Sequence, residues 1–154
     1  MKKAIVALVL GLMVMTTAAI AAKPNGPSAY NGLNKGNSDV KHLELYEKDP
    51  TTWEAIDGGA RGRMTFDSDS FVFNGHGLEA GMDYTLIRYQ DPWSGSPVCL
   101  ASGTTNNGGN INLAGAMQDG GPKVWLVFSA DVDCDNAVMT GWNPTEYLFE
   151  YNLI

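Results

Sequence analysis

Asp131, Asp133 and Asp135, with Asn136 next in line, place oxygen-bearing side chains at alternate positions. On a bent loop such a run can turn several hard oxygen ligands toward one point, which is the chemistry of calcium binding. The rest of an EF-hand loop is missing. Counted from Asp131, the sixth place holds Asn136 instead of Gly, and the twelfth holds Trp142 instead of Glu. A solvated acidic turn is the competing reading, because Cys134 inside the run would order the loop without metal. Calcium is the one cofactor the residues suggest, with these three aspartates as its candidate ligands.

Trp93 is the second chemical candidate. It sits in Gln90-Asp-Pro-Trp-Ser-Gly-Ser-Pro97, a stretch too polar and turn-rich for a core strand. An indole held out on a loop can stack on a sugar ring, with Asp91 and Asn106 offering contacts to hydroxyls. Alternatively, Trp93 folds back on Pro92 or closes one end of the fold, since large aromatics usually bury most of their area. By the same argument Trp125 is expected in the core, and Trp53 and Trp142 as lids over an end.

Catalysis needs a base or nucleophile with a positioned partner. The two histidines, His42 and His76, come without one, and both read as structural. Ser68, Ser70, Ser94 and Ser96 lie in turns, and none sits in a Gly-x-Ser-x-Gly elbow. No catalytic residue is assigned, and the expectation is a protein that is not an enzyme.

These groups must be held by strands. After residue 39 the chain is a series of short runs with period-two alternation, separated by turn residues. Leu43 and Leu45 alternate with polar neighbours, Met64 and Phe66 share one face, and Asp67-Ser68-Asp69 turns the chain into a run carrying Phe71 and Phe73. Tyr84 to Gln90, Val98 to Thr105 and Asn110 to Met117 follow, the last two joined by Asn106 to Gly109, which predicts a type I′ hairpin. Lys123 to Phe128 is apolar on both faces and expected to be central and buried, and Thr145 to Tyr151 completes the set. Asp49 can cap one helical turn opened by Pro50. About eight short strands predict an all-β sandwich or barrel, with an antiparallel immunoglobulin-like sandwich as the preferred form. Arg88 shares a face with Tyr84 and Leu86, placing it beside an acid or at an open strand end.

Lys2 and Lys3, the apolar run Ala4 to Ala19 and the small residues up to Ala22 predict a secretory signal over 1–22. Residues 23–39, rich in Pro, Gly, Asn and Ser, read as a flexible leader, and 40–154 as one domain. Membrane attachment is expected only if the signal is retained as an anchor. Self-assembly is expected only if the leader lends a strand to a neighbouring molecule. The chain has 10 basic and 17 acidic side chains. Without the two signal lysines the balance is 8 − 17 = −9, which disfavours nucleic acid and anionic membranes as partners. In an oxidising compartment Cys99 and Cys134 are expected to pair, closing a loop of about 35 residues worth roughly 3–4 kcal/mol.

Leu78-x-x-Gly81-x-x-Tyr84, running into Thr85-Leu86-Ile87, resembles the tyrosine corner of fibronectin type III and immunoglobulin-like domains. The resemblance implies a structural role for Gly81 and Tyr84, with the Tyr84 hydroxyl bonded to backbone just upstream. Most of the domain also resembles a family of small secreted all-β proteins of archaea and bacteria without an assigned activity. Phe71-Val-Phe-Asn-Gly-His-Gly-Leu78, Asp91-Pro92-Trp93, Ser102-Gly103-Thr104, Gly108-Gly109-Asn110, Trp125-Leu126-Val127, Asp131-Val-Asp-Cys134 and Gly141-Trp-Asn-Pro-Thr-Glu-Tyr-Leu-Phe149 carry it. It implies secretion and a globular domain that includes the Asp131 and Trp142 segments, and no function. The leading expectation is a secreted, non-enzymatic binding or structural module acting on an extracellular protein or glycan. A carbohydrate-binding module using Trp93 and a secreted hydrolase are the alternatives.

Overall fold

A computed structural model describes residues 39–152 and residue 154. The signal and all of the leader but Asp39 lie outside the described residues. Ten strands follow in order: β1 (Lys41–Tyr46), β2 (Arg61–Phe66), β3 (Ser70–His76), β4 (Asp83–Tyr89), β5 (Val98–Thr104), β6 (Ile111–Ala116), β7 (Lys123–Phe128), β8 (Val132–Asp133), β9 (Val138–Met139) and β10 (Leu148–Glu150). Eight of them form one antiparallel sheet in the order β5-β4-β7-β10-β1-β2-β3-β6, while β8 and β9 make a separate short hairpin. No helix of the described residues is long and apolar enough to cross a membrane.

The chain is all-β and antiparallel, with the Cys99–Cys134 disulfide formed as expected. The long strands differ from a two-sheet, immunoglobulin-like sandwich in belonging to one sheet that curls until it is nearly closed. Its edge strands β5 and β6 are consecutive in sequence and approach across the seam. A Cβ on Gly103 of β5 would come within 2.8 Å of the Leu113 side chain of β6. Alternation along each strand cannot distinguish opposite walls of one curled sheet from two stacked sheets, since both bury every second residue.

The period-two pattern holds inside. Leu43, Leu45, Met64, Phe71, Phe73, Leu86, Val124, Leu126 and Leu148 fill the interior, each nearly or fully removed from water. Each such side chain contributes about 1.5–3 kcal/mol. A second apolar cluster lies on the outer face, where Ile87, Val127 and Phe149 are covered by Val132 and Tyr147. The segment from Ser129 to Tyr147 folds back over β4, β7 and β10 as a flap, and the disulfide staples Cys134 of that flap to Cys99 of β5. The expected last strand is therefore shorter: Pro144–Glu146 is a 3₁₀ turn, and only Leu148–Glu150 pairs.

The β5–β6 connection is not a type I′ turn. Gly109 alone in it has a positive φ, +68°, while its N–H donates to the Asn106 carbonyl at 2.9 Å and the Asn106 N–H donates to Asn110 at 2.9 Å. That is a turn followed by one left-handed residue, the longer hairpin solution. Asp49 behaves as expected: its Oδ1 accepts from the Thr51 and Thr52 amides at 2.7 and 3.0 Å. Arg88 points to the barrel end, where Nε donates to the Gly121 carbonyl at 2.8 Å and Nη1 to that of Gln118.

At the turn where the resemblance places a tyrosine corner, Gly81 takes the left-handed backbone, φ +73°, that the turn requires. Tyr84 is buried against Phe128, and its hydroxyl has no partner at hydrogen-bond geometry among the described residues. Burial pushes the Tyr84 pKa up to about 12, and the Glu79 backbone five residues upstream draws it back in part. Thr105 bonds across the same turn. Its hydroxyl donates to the Glu79 carbonyl at 2.6 Å and accepts from the Met82 amide at 3.0 Å.

Candidate functional site: a tryptophan face on the outside of the barrel

The outward side of β7 carries Lys123, Trp125 and Val127, because Val124 and Leu126 take the interior. Val127 lies beneath the flap, whereas Trp125 emerges at the flap's margin and is half-buried. Trp125 is thus an outer-face residue, not the interior residue that its apolar neighbours suggest. Ile87 of β4 and Phe149 of β10 flank it in register, so the floor around it is apolar.

The three other tryptophans gather around this floor from three separate connections. Trp93, in the loop after β4, lies nearly parallel to Trp125, with ring centroids 5.6 Å apart and planes 10° apart. Trp142, on the flap, sits 5.6 Å from Trp125 at a 52° tilt. Trp53, between β1 and β2, reaches Trp142 at 6.5 Å and meets the edge of Phe149 at 5.2 Å. Tyr89 closes the floor at 4.0 Å from Trp125. Trp93, Trp53 and Trp142 remain 43%, 48% and 50% exposed, which makes them neither lids nor core. Large aromatics normally bury most of their area, so three open indoles gathered around one half-buried indole are an unusual apolar exposure.

Specific devices hold each ring there. Trp53 has φ +60°, a left-handed conformation that a bulky residue adopts at a cost of about 1–3 kcal/mol. Its amide is tied to the Asp49 carbonyl at 2.8 Å. Trp142 is positioned by Asp131, which is buried. The Asp131 carboxylate accepts from the Tyr147 hydroxyl at 2.5 Å and from Asn143 Nδ2 at 2.7 Å, while its backbone carbonyl accepts from the Thr140 and Gly141 amides. A Cβ at Gly141 would fall 2.0 Å from Asp131 Oδ1, so only glycine lets the flap close on that carboxylate. Burial and the Asp131 carboxylate together push the Tyr147 pKa upward.

Asp133 and Asp135 lie elsewhere. Asp133 caps its own hairpin, accepting from the amides of Asp135 and Asn136 at 3.1 and 3.0 Å and from Asn136 Nδ2 at 2.7 Å. Those bonds hold its pKa below the usual carboxylate range. Both residues border a cleft with Asp83, Thr85 and Ser102, at the start of β4. Trp93 belongs to the loop that follows the opposite end of β4. The three aspartates are therefore not gathered around one point: one holds Trp142 and one closes a turn. Among the described residues no group of three or more acidic, cysteine or histidine side chains is placed to share a metal ion.

Asp91 and its neighbours supply the polar rim. Asp91 lies 3.5 Å from Lys123 Nζ, which is also 3.8 Å from Glu150. Glu150 is nearly buried, accepts from the Tyr89 hydroxyl at 3.4 Å, and leaves Oε2 without a partner among the described residues. Burial pushes the Glu150 pKa up, against the pull of Lys123 and Lys48, and pushes that of Tyr89 up as well. Asn106, the other hydroxyl-contact candidate, is used inside its own turn. His42 lies 3.0 Å from Thr65, and His76 lies 2.8 Å from Asn110, both in structural pairs.

Trp93 was legible as a candidate because its loop is polar. Its partners were not, because Trp53, Trp125 and Trp142 are brought to it only by the curl of the sheet and the return of the flap. No family model matches the chain, and no curated protein and no solved structure matches it either.

Proposed function

We propose that this chain is a secreted, non-enzymatic binding module that holds a glycan on its tryptophan face. One observation carries the proposal: all four tryptophans of the chain, drawn from four separate segments, form one continuous surface with three of them open. Indole faces stack on the C–H faces of pyranose rings, and flanking charged or amide groups take the hydroxyls. Asp91 and Lys123 stand beside Trp93 with side chains 43% and 27% exposed, so both can reach a ligand. The acidic balance of the chain disfavours polyanionic partners. The non-enzymatic part rests on the pairing of His42 with Thr65 and His76 with Asn110, which engages both histidines away from the turn serines.

The test is a glycan array probed with the wild type, Trp93→Ala, Trp142→Ala and, as an off-face control, His42→Ala. Binding that is lost in both tryptophan variants and kept in the control supports the proposal. Equal binding by all four proteins, or by none, overturns it.

A further inference from the structure

We infer that the tryptophan face takes a single, uncharged polysaccharide chain in solution and not the flat surface of a crystalline polysaccharide. This rests on the glycan reading above and adds the physical form and charge of the ligand.

A crystalline face is planar, and a protein that lies on it needs rings whose open faces share one plane. Trp93 and Trp125 are parallel, with planes 10° apart, but stacked one over the other, so their open faces do not share one plane. Trp142 is turned 52° from Trp125, and Trp53 a further 41° from Trp142. No flat surface can contact Trp93 and Trp142 face-on together. A single chain can, because it twists about its glycosidic bonds and can present successive rings at different angles. Along the strip the centroids are separated by 5.6, 5.6 and 6.5 Å, the first step being the Trp93–Trp125 stack. The strip thus offers two open stacking positions, Trp93 at one end and the Trp142–Trp53 pair at the other, with half-buried Trp125 between.

The charge pattern sets the second part. The rim beside Trp93 pairs Asp91 with Lys123 at 3.5 Å, and Lys123 is shared with the nearly buried Glu150 at 3.8 Å, so it presents hydrogen-bonding groups of both signs. Such a pair can accept from one sugar hydroxyl and donate to the next. A chain bearing carboxylate or sulfate groups would meet Asp91 and the overall negative charge, while Lys123 is already held between two carboxylates. Asp91 and Lys123 are accordingly specificity residues for hydroxyl groups, and Trp93 and Trp142 the two anchors.

Affinity electrophoresis and pull-down together test this. The full-length secreted protein is run through gels containing hydroxyethyl cellulose, glucomannan, arabinoxylan, galactan or polygalacturonate, and mixed with microcrystalline cellulose and crystalline chitin. Retardation is expected in at least one neutral gel, with no retention on either solid. Trp93→Ala and Trp142→Ala should each weaken it at least tenfold, and Asp91→Asn or Lys123→Met about threefold or more. Melting temperatures, together with Trp93→Phe, separate lost stacking from lost folding. Retention on a crystalline solid without retardation overturns the single-chain inference but leaves the glycan reading intact. Retardation by polygalacturonate alone overturns the uncharged part. Binding to nothing, with an empty glycan array, overturns both.

Discussion

Trp93 lies flat against Trp125, with planes 10° apart and centroids separated by 5.6 Å, although the two residues belong to a loop and to a central strand. Offset parallel rings at that spacing gain about 0.5–1.5 kcal/mol beyond the area they bury. The stack also fixes the loop that carries Asp91. Two parallel indoles so close couple their excited states, so the far-UV circular dichroism spectrum should show an exciton couplet. Trp93→Phe should change its shape and amplitude with little loss of stability, because Trp93 is 43% exposed, while the coupling among Trp125, Trp142 and Trp53 persists. A spectrum identical to the wild type in Trp93→Phe would show that the stack does not contribute.

The Tyr84 and Thr105 hydroxyls meet at one turn, where Thr105 exchanges hydrogen bonds with Glu79 and Met82. Tyr84→Phe removes a buried oxygen with no partner among the described residues, so stability should stay unchanged or rise by up to about 1 kcal/mol. Thr105→Val breaks two bonds to the turn and should cost about 1–3 kcal/mol. Urea denaturation of the two variants checks both signs. A loss on Tyr84→Phe comparable to that on Thr105→Val would give the tyrosine hydroxyl a bonding role in the corner.

That turn shows which features could be read from the chain alone. Strand positions were legible, because Phe71/Phe73, Leu43/Leu45 and Met64/Phe66 keep strict alternation. Gly81 was legible as well, since local backbone geometry depends on near neighbours. Thr105 was not: it meets Glu79 and Met82 from more than twenty positions away, and nothing in its own neighbourhood marks it. Trp125 and Asp131 were misplaced for a related reason. An apolar strand can be covered on its outer face by a flap as readily as by an interior. An aspartate in an acidic run looks solvated until Tyr147 and Asn143 return to it.

Glu150 sets a pH dependence whose sign follows from its burial. Its folded pKa is raised above the ordinary 4.5, so the folded state favours the protonated acid. Its contribution is fully present below 4.5 and is lost as pH rises through the folded value. Asp49, Asp67 and Asp133 act oppositely. Backbone amides, and for Asp133 also Asn136, hold their pKa values below 3.8, and their contribution is lost as pH falls through those lowered values. The melting temperature should therefore rise as pH is lowered through the raised Glu150 value toward 4.5, and fall again as pH drops below 3.8 through the lowered aspartate values. Glu150→Gln should flatten the upper limb without touching the lower one. An unchanged upper limb in that variant would assign it to another group.

Asp131 joins the flap to the tryptophan face, and removing its side chain should separate stability from any calcium effect. Asp131→Ala leaves the buried Tyr147 hydroxyl without its acceptor and releases the Asn143 side chain next to Trp142, at a cost of about 2–3 kcal/mol, while the backbone bonds to the residue 131 carbonyl stay. The same cost should shrink in a Tyr147→Phe background, because the orphaned hydroxyl is then gone. Calcium added to EDTA-treated wild type should leave the melting temperature unchanged, since Asp131 Oδ2 already accepts from Tyr147 and Asn143, and both Asp133 oxygens from Asn136 and backbone amides. A calcium-dependent rise in melting temperature that vanishes in Asp133→Asn would place an ion at the hairpin and reassign the aspartates from positioning to ligation.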